Sequence, residues 1–332
     1  MDASQQKTWM NWSGLQKSNP QQILKPAHLS ELQMIVRENA KIRVVGAGHS
    51  FTPLVCTDAT LLSLDHLSGV EQVDAEHCQS AIWSGTHLYD LNQYLQPLDQ
   101  ALMQQGDIDQ QSLAGAVSTG THGTGADLQC ISAYVEGFEL LTASGELLQC
   151  SRTENAEIFE AGRVSLGSLG ILTKIAIQNK PRYKLKEHVE LCSVKDMLSH
   201  IHQWKTQHRH IECFIFSYGD QLMLKTLDET EEEIRPRKES WPSEDSLLTL
   251  CSELTKAFPS LNPHLQKLLG VFVQPSTFID WSSKIFPTPR NTKFNEMEYQ
   301  IPVDQGLDCL QQVLQALRKY KVATFSLWNF VL

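Results

Sequence analysis

The sequence is short of several things that would have fixed its role. Its eight cysteines stand at positions 56, 78, 130, 150, 192, 213, 251 and 309, with no C-x-x-C pair, so a dense disulfide framework of the secreted mini-domain kind is excluded. They read as the reduced thiols of a cytoplasmic protein. Basic charge is scarce: 28 Lys and Arg face 38 Asp and Glu, a formal net charge of −10, which argues against a basic surface for phosphate backbones. Nucleic acid is not an expected partner. No run of about 18 apolar residues occurs, and the opening MDASQQKTWMNW lacks the basic and apolar regions of a signal peptide. The protein is not expected to span a membrane, although it could be associated with the surface of one.

What is present is ordinary globular material, 41% hydrophobic and 20% charged over 332 residues, and at roughly 150 residues per domain this suggests two domains. Between Pro26 and Asn39, Leu29, Leu32, Ile35 and Val36 have the one-sided spacing of a helix, with Ser30 as its expected N-cap. The run Ile42 to Val45 predicts a strand ending at Gly46. Further strands are expected over residues 60–64, 79–83, 135–142 and 171–178, and a helix over 88–95. After Pro181 the texture changes. Residues 211–218 and 221–226 alternate around Gly219-Asp220 as an antiparallel hairpin, and residues 307–320 have the stripe of a helix packed on that sheet. A domain boundary is expected near residue 180, giving units 1–180 and 181–332. The stretch DETEEEIRPRKESWPSED, residues 228–245, reads as a solvated loop without chemistry.

Three glycine-bearing segments stand out. The first, RVVGAGHSFTP from Arg43 to Pro53, has Phe51 where a Rossmann fingerprint needs its third glycine, and Pro53 close behind is poorly suited to opening a helix. No glycine there precedes Lys-Ser or Lys-Thr, so a Walker loop is also disfavoured. Taken alone, the stretch fits a tight turn with an exposed histidine. The second, LAGAVSTGTHGTG from Leu113 to Gly125, carries glycines too frequent for a stable helix or strand. Its Ser118, Thr119, Thr121 and Thr124 add hydroxyls, so the loop is expected to offer N–H and O–H donors to a pyrophosphate without a lysine. The third, SLGSLGILT from Ser165 to Thr173, sets two glycines ahead of a strand. Three such turns suggest a dinucleotide rather than a single phosphate. His200, His202, His208 and His210 form H-x-H-x5-H-x-H, read as surface residues rather than a metal site, because residues two apart leave a helix on different sides.

RVVGAGHSFTPL, GDIDQQSLAGAVSTGTHGTG and GSLGILTKI, in this order behind Asn11-Trp12-Ser13, resemble the flavin-dependent sugar-lactone and alditol oxidases of the vanillyl-alcohol oxidase superfamily. These include L-gulono-1,4-lactone and D-arabinono-1,4-lactone oxidases. The resemblance runs from about Trp9 to Gln178 and continues more weakly through the hairpin and FNEMEYQIP, residues 294–302. It implies an α+β fold: a two-subdomain FAD-binding domain of the vanillyl-alcohol oxidase type, then a partial α+β cap domain with an antiparallel sheet. It implies that FAD is held at Val45, Gly46, Ala47, Gly48, His49, Ser50 and Phe51 in the first segment. In the second it implies Gly106, Asp107, Ser112, Gly115, Ala116, Ser118, Thr119 and Gly120, followed by Thr121, His122, Gly123, Thr124 and Gly125. In the third it implies Gly170 and Ile171. His49 matches the histidine that many members join covalently to the 8α-methyl of the flavin. His122 is expected to be structural or pyrophosphate-side rather than a base.

The activity implied is hydride transfer from a sugar CH–OH to FAD, with oxygen or another acceptor reoxidising the flavin. In the family the substrate is handled by a Glu-x-Arg pair on a late cap strand and by a lysine near the C-terminus. Here Leu327-Trp328-Asn329 stands near the place of that pair and the lysine motif has no counterpart, so an intact FAD domain with an incomplete substrate domain is expected. Glu296 and Glu298, on an expected cap strand, read as solvent-facing, and no catalytic residue is assigned.

Overall fold

The computed structural model describes residues 8–237, 244–272, 274–290, 292–322 and 327–331. It divides into two compact units. The first comprises residues 1–123, 129–182 and 293–296, and the second residues 124–128, 183–292 and 297–332.

In the first unit, β1 (Trp9–Met10) and β2 (Lys17–Ser18) form an antiparallel pair. Next come β3 (Gln22–Leu24), α1 (Leu29–Glu38), β4 (Ile42–Val45) and β5 (Thr60–Ser63), the strands forming a parallel sheet in the order β3-β5-β4. The helix buries Leu32, Ile35 and Val36 against Leu62, Leu64 and Leu141, as its spacing requires. Its cap differs from expectation. His28 is the N-cap residue and Ser30 lies inside the first turn, where Glu31 accepts the Ala27 N–H at 2.8 Å. A longer side chain thus meets an orphan donor just ahead of the helix.

The larger sheet of this unit is antiparallel and contains β6 (Val70–Asp74), β7 (Gln79–Trp83), β8 (Gln100–Leu102), β9 (Val135–Leu141), β10 (Leu147–Ser151) and β11 (Ile171–Pro181). Its order is β10-β9-β11-β7-β6, and β8 pairs with residues 179–181 of β11. Three helices belong with it: α2 (Leu88–Leu95), α3 (Leu113–Ser118) and α4 (Ala156–Gly162). Leu88, Leu91 and Leu95 of α2, Leu113 and Val117 of α3 and Phe159 of α4 pack with Ile82, Phe138 and Ile175 in one buried cluster. The existence of α3 overturns the expectation that its glycines forbid a helix. Gly115 is its sole internal glycine, and Leu113, Ala116 and Val117 are buried, so packing outweighs an unfavourable propensity of about 1 kcal/mol.

The second unit is built on an antiparallel sheet. Its strands are β12 (Lys184–Ser193), β13 (His210–Phe216), β14 (Gln221–Thr230), β15 (Ser276–Trp281) and β16 (Leu327–Val331), in the order β15-β12-β14-β13-β16. Among the described residues its helices are α5 (Val194–Gln207), α6 (Glu244–Ala257), α7 (Asn262–Phe272), α8 (Ser282–Ile285) and α9 (Gly306–Tyr320). Met197 and Ile201 of α5 and Leu310 and Leu314 of α9 cover Ile211, Cys213, Ile215, Leu222 and Leu224. The expected hairpin and final helix are therefore present. Residues 322–325, expected to begin a strand, lie largely outside the described residues, and 327–329 pair with 216–214 of β13 along β16. No strand forms over 294–302, so Glu296 and Glu298 are exposed on irregular chain rather than on a cap strand.

The expected loop at 228–245 is also corrected. Its first residues belong to β14 and its last open α6, while Arg237 leaves the solvent to grip a buried carboxylate. Alternation on the sheet puts Glu187, Glu212 and Lys225 on the side away from α5 and α9, each at most 8% exposed. Lys225 Nζ lies 3.1 Å from Glu212 and 3.9 Å from Glu187. Arg237 Nε donates to Glu187 at 3.2 Å, and its terminal nitrogens donate to the Pro287 and Ile285 carbonyls. Arg237→Met should leave Glu187 under-paired and cost about 3 kcal/mol in urea unfolding.

His210 is fully buried, which corrects its reading as a surface residue; among the described residues no His, Cys, Asp and Glu cluster forms a metal site. Its Nδ1 donates to the Thr124 carbonyl at 2.9 Å, while Nε2 is buried without a partner. Burial, reinforced by the Arg209 charge, lowers its pKa to about 4. The unfolded chain binds this proton near pH 6.5 and the folded chain near 4, so the stabilisation is complete above 6.5 and is lost as pH falls towards 4. The loss amounts to about 3 kcal/mol. Comparing urea unfolding at about pH 7 and about pH 4 should show this extra acid sensitivity in the wild type and its absence in His210→Gln.

No helix among the described residues is long and apolar enough to cross a membrane.

Candidate functional site

The first glycine segment leaves β4 and turns beneath the start of α3. At Gly46 the approach is so close that a Cβ would lie 2.2 Å from Ser112 Oγ, and two residues on Gly48 has a φ of +70°. Only glycine meets both demands without strain. Ser112 caps α3, accepting the Gly115 N–H at 3.3 Å, so the first two glycine segments are pinned against each other.

Their junction opens into a cavity of about 550 Å³, a size typical of sites for sizeable organic ligands. Every lining residue belongs to the first unit. Among the expected site residues, Val45, Gly46, Ala47, Gly48, His49 and Ser50 line it, as do Ser112, Gly115, Ser118, Thr119, Gly170 and Ile171. Phe51, Gly106, Asp107, Ala116, Gly120, Thr121, His122 and Gly123 lie outside the lining. Thr124 and Gly125 belong to the second unit, where a Cβ on Gly125 would meet the Arg209 carbonyl at 2.6 Å.

The donors are arranged differently from expectation. In the second segment most are already engaged: the N–H groups of Leu113, Ala114 and Thr121 bond Thr86, Ser84 and Ala116 carbonyls, and Thr119 Oγ1 donates to Gly115. Thr121 Oγ1 accepts from Gln111, and His122 Nδ1 donates to the Gly123 carbonyl at 2.8 Å. A segment whose donors are taken up by Ser84, Thr86 and its own turns has little left for a ligand, although the Ser118 hydroxyl remains without a protein partner among the described residues. The first segment is the reverse case. There the N–H groups of Ala47, Gly48, His49 and Ser50 meet no acceptor among the described residues, and the Ser50 hydroxyl is likewise unengaged. Deeper in the lining, the fully buried Ser84 Oγ has no partner.

His49 is half-buried, its ring stacked on Trp12 at 5.1 Å and 22°. Phe294 meets Trp12 edge-on at 5.2 Å and Phe51 at 5.8 Å. Burial, with a smaller push from His87, lowers the His49 pKa and keeps its imidazole neutral at physiological pH.

Sequence reasoning missed Asp65 and Ser84 in the lining, Phe294 in the aromatic group and the ion pair behind them. A dyad-like spacing could not have revealed Asp65, because His87 lies 22 positions away on another element. His87 Nε2 stands 3.8 Å from Asp65 Oδ1, its Nδ1 donates to the Gln110 carbonyl at 2.7 Å, and Lys25 holds the other Asp65 oxygen at 2.7 Å. Pairing with Asp65 raises the His87 pKa, and His87 and Lys25 hold the Asp65 carboxyl well below its usual range. Asp65→Asn should therefore move the His87 imidazole titration, followed by NMR, to lower pH.

Comparison with known proteins agrees with this geometry. A family model described as an FAD binding domain matches residues 20–151, and one described as D-arabinono-1,4-lactone oxidase matches residues 175–328. L-gulono-1,4-lactone dehydrogenase of Mycobacterium tuberculosis is 34% identical over 321 residues, covering 94% of this chain and 74% of that protein. L-gulonolactone oxidase of Scyliorhinus torazame is 28% identical, covering 91% of this chain and 71% of its own. Among solved structures, a cholesterol oxidase from Brevibacterium sterolicum superposes with a TM-score of 0.78 at 14% identity, covering 94% of this chain and 68% of that one, which shows a shared fold. With an FAD-binding match followed by a lactone-oxidase match, and a relative 34% identical over 94% of this chain, the chain belongs to the FAD-dependent sugar-1,4-lactone oxidoreductases.

Proposed function

We propose that the protein oxidises a CH–OH group of an aldono-1,4-lactone of the D-arabinono or L-gulono type, using FAD held in the cavity of the first unit. The observation that carries this reading is the row of unengaged N–H groups from Ala47 to Ser50, lining a cavity beside a neutral histidine in a chain of this family. The lining suits a flavin dinucleotide: backbone donors and the Ser50 and Ser118 hydroxyls supply hydrogen bonds to pyrophosphate without a cation, and Gly46 and Gly48 allow the backbone to come close. When bound, FAD supplies the hydride acceptor and passes two electrons on to oxygen or another acceptor.

We assign residues 1–180 to flavin binding and residues 181–332 to the substrate side. The expected contacts split accordingly. Val45 to Ser50, Ser112, Gly115, Ser118, Thr119, Gly170 and Ile171 touch the flavin nucleotide, while Gly106, Asp107 and Gly120 to Gly123 support the loop behind it. The eight thiols are unpaired, in keeping with a reducing compartment such as the cytoplasm.

His49 is the proposed attachment residue. Burial keeps its ring unprotonated and therefore nucleophilic. With FAD bound, an imidazole nitrogen of His49 would form one C–N bond to the 8α carbon; the methyl C–H and the imidazole N–H would be lost, their two protons and two electrons going to one oxygen molecule as hydrogen peroxide. A second reading, an FAD-binding protein without turnover, draws on Leu327-Trp328-Asn329 at the place of the family's Glu-x-Arg pair.

The test is spectroscopic. Wild-type protein should keep flavin absorption in its acid-precipitated pellet, and His49→Ala should bind FAD yet release it to the supernatant. Anaerobic addition of L-gulono-1,4-lactone or D-arabinono-1,4-lactone should bleach the flavin. Bound flavin that no aldonolactone bleaches favours the second reading, and a chain that binds no FAD overturns both.

A further inference from the structure

The turn joining β1 to β2 reaches across to the carbonyls of the first glycine segment. The Trp12 N–H donates to the Gly48 carbonyl at 2.8 Å, the Asn11 side-chain amide to the Ser50 carbonyl at 3.0 Å, and the Gln16 side-chain amide to the Phe51 carbonyl at 3.0 Å. Asn11 is 4% exposed and braces the turn itself, its side-chain oxygen accepting the Gln16 N–H at 3.0 Å. Trp12 adds its ring beneath His49.

The pattern is selective. Carbonyls of the segment are taken up, while the N–H groups of Ala47 to Ser50 are left without protein acceptors among the described residues. A planar trans peptide holds each C=O opposite the following N–H, so pinning the Gly48 carbonyl fixes the direction of the His49 N–H. Pinning the Ser50 and Phe51 carbonyls fixes the Phe51 and Thr52 peptide planes on the far side of His49. A glycine turn left to itself would sample many orientations. Three anchors and one ring stack leave it few.

We propose that Asn11, Trp12 and Gln16 are positioning residues for His49. They clamp the Gly48, Ser50 and Phe51 carbonyls on either side of it, so that the imidazole stays seated on Trp12 and the His49 N–H keeps one direction. The inference rests on the reading of His49 as the flavin attachment residue for one of its readouts, though not for the other. Clamping acts on the rate at which the C–N bond described above forms, because a nitrogen held in place attacks faster than one on a wandering loop.

The clamp can be cut one donor at a time. Asn11→Asp keeps the oxygen that accepts the Gln16 N–H and removes the amide that reaches Ser50; Gln16→Glu removes the donor to Phe51. Thr8→Ala serves as the control, because it deletes a bond to Asn19 in the same hairpin, at 2.9 Å, without touching the loop. The full chain, produced under riboflavin limitation, is mixed with saturating FAD, and acid-insoluble flavin is followed with time beside the thermal midpoint.

Asn11→Asp and Gln16→Glu should each slow attachment about tenfold when assayed well below their thermal midpoints, that of Asn11→Asp being lowered by its buried carboxylate, and Thr8→Ala should attach flavin at the wild-type rate. Attachment at the wild-type rate in Asn11→Asp overturns the proposal. So does equal slowing in Thr8→Ala, which would mark a general loss of hairpin stability. Should the wild-type pellet be colourless, covalent attachment itself fails and the clamp is read from FAD affinity. A roughly tenfold weaker affinity in Asn11→Asp then supports the clamp, and an unchanged affinity overturns it.

Discussion

The site of the first unit hangs on one contact, the approach of Gly46 to Ser112. The end of a parallel strand meets the first turn of α3 with no space for a methyl group between them. From that contact follow the direction in which the chain leaves β4, the seat of the helix in the large hydrophobic cluster, and the cavity at their junction. A side chain at position 46 would push Ser112 off its cap and part the two sheets' connections at once. The glycine is therefore structural before it is functional, and the cavity is a by-product of close packing.

Much of the framework was legible because it is written locally. Strands such as Gln79–Trp83 and the helix Leu88–Leu95 have the right period and clear ends, and α9 displays its buried stripe openly. The helix α3 was not legible, since its few apolar residues are diluted by glycine and become decisive only when Ile82 and Phe159 close over them. The long strand β12 was missed for a related reason: its lysines, glutamates and histidine mask the alternation.

The candidate site was legible as chain segments but not as directions. The sequence marks the glycine turns, yet it does not say which backbone donors are used up inside the protein. A row of hydroxyl and glycine residues looks generous in the second segment. Its donors prove largely engaged, because the Ser84 and Thr86 carbonyls take the first N–H groups of the short helix and its own turns take most of the rest. Contacts between distant positions, such as Asp65 with His87 or Phe294 with Trp12, carry no local signal and emerge only from the fold.

The way the first segment presents itself to the cavity has a further consequence. Its unengaged groups from 47 to 50 are mostly main-chain amides, and every residue except proline carries the same amide. The identity of Ala47 could therefore drift with little effect on what the segment offers, and neither salt nor pH would switch those donors off. Such a surface is robust to mutation and poor at leaving a signature: two glycines and a histidine are its legible trace, while the atoms that would hold a ligand are common to nearly all amino acids.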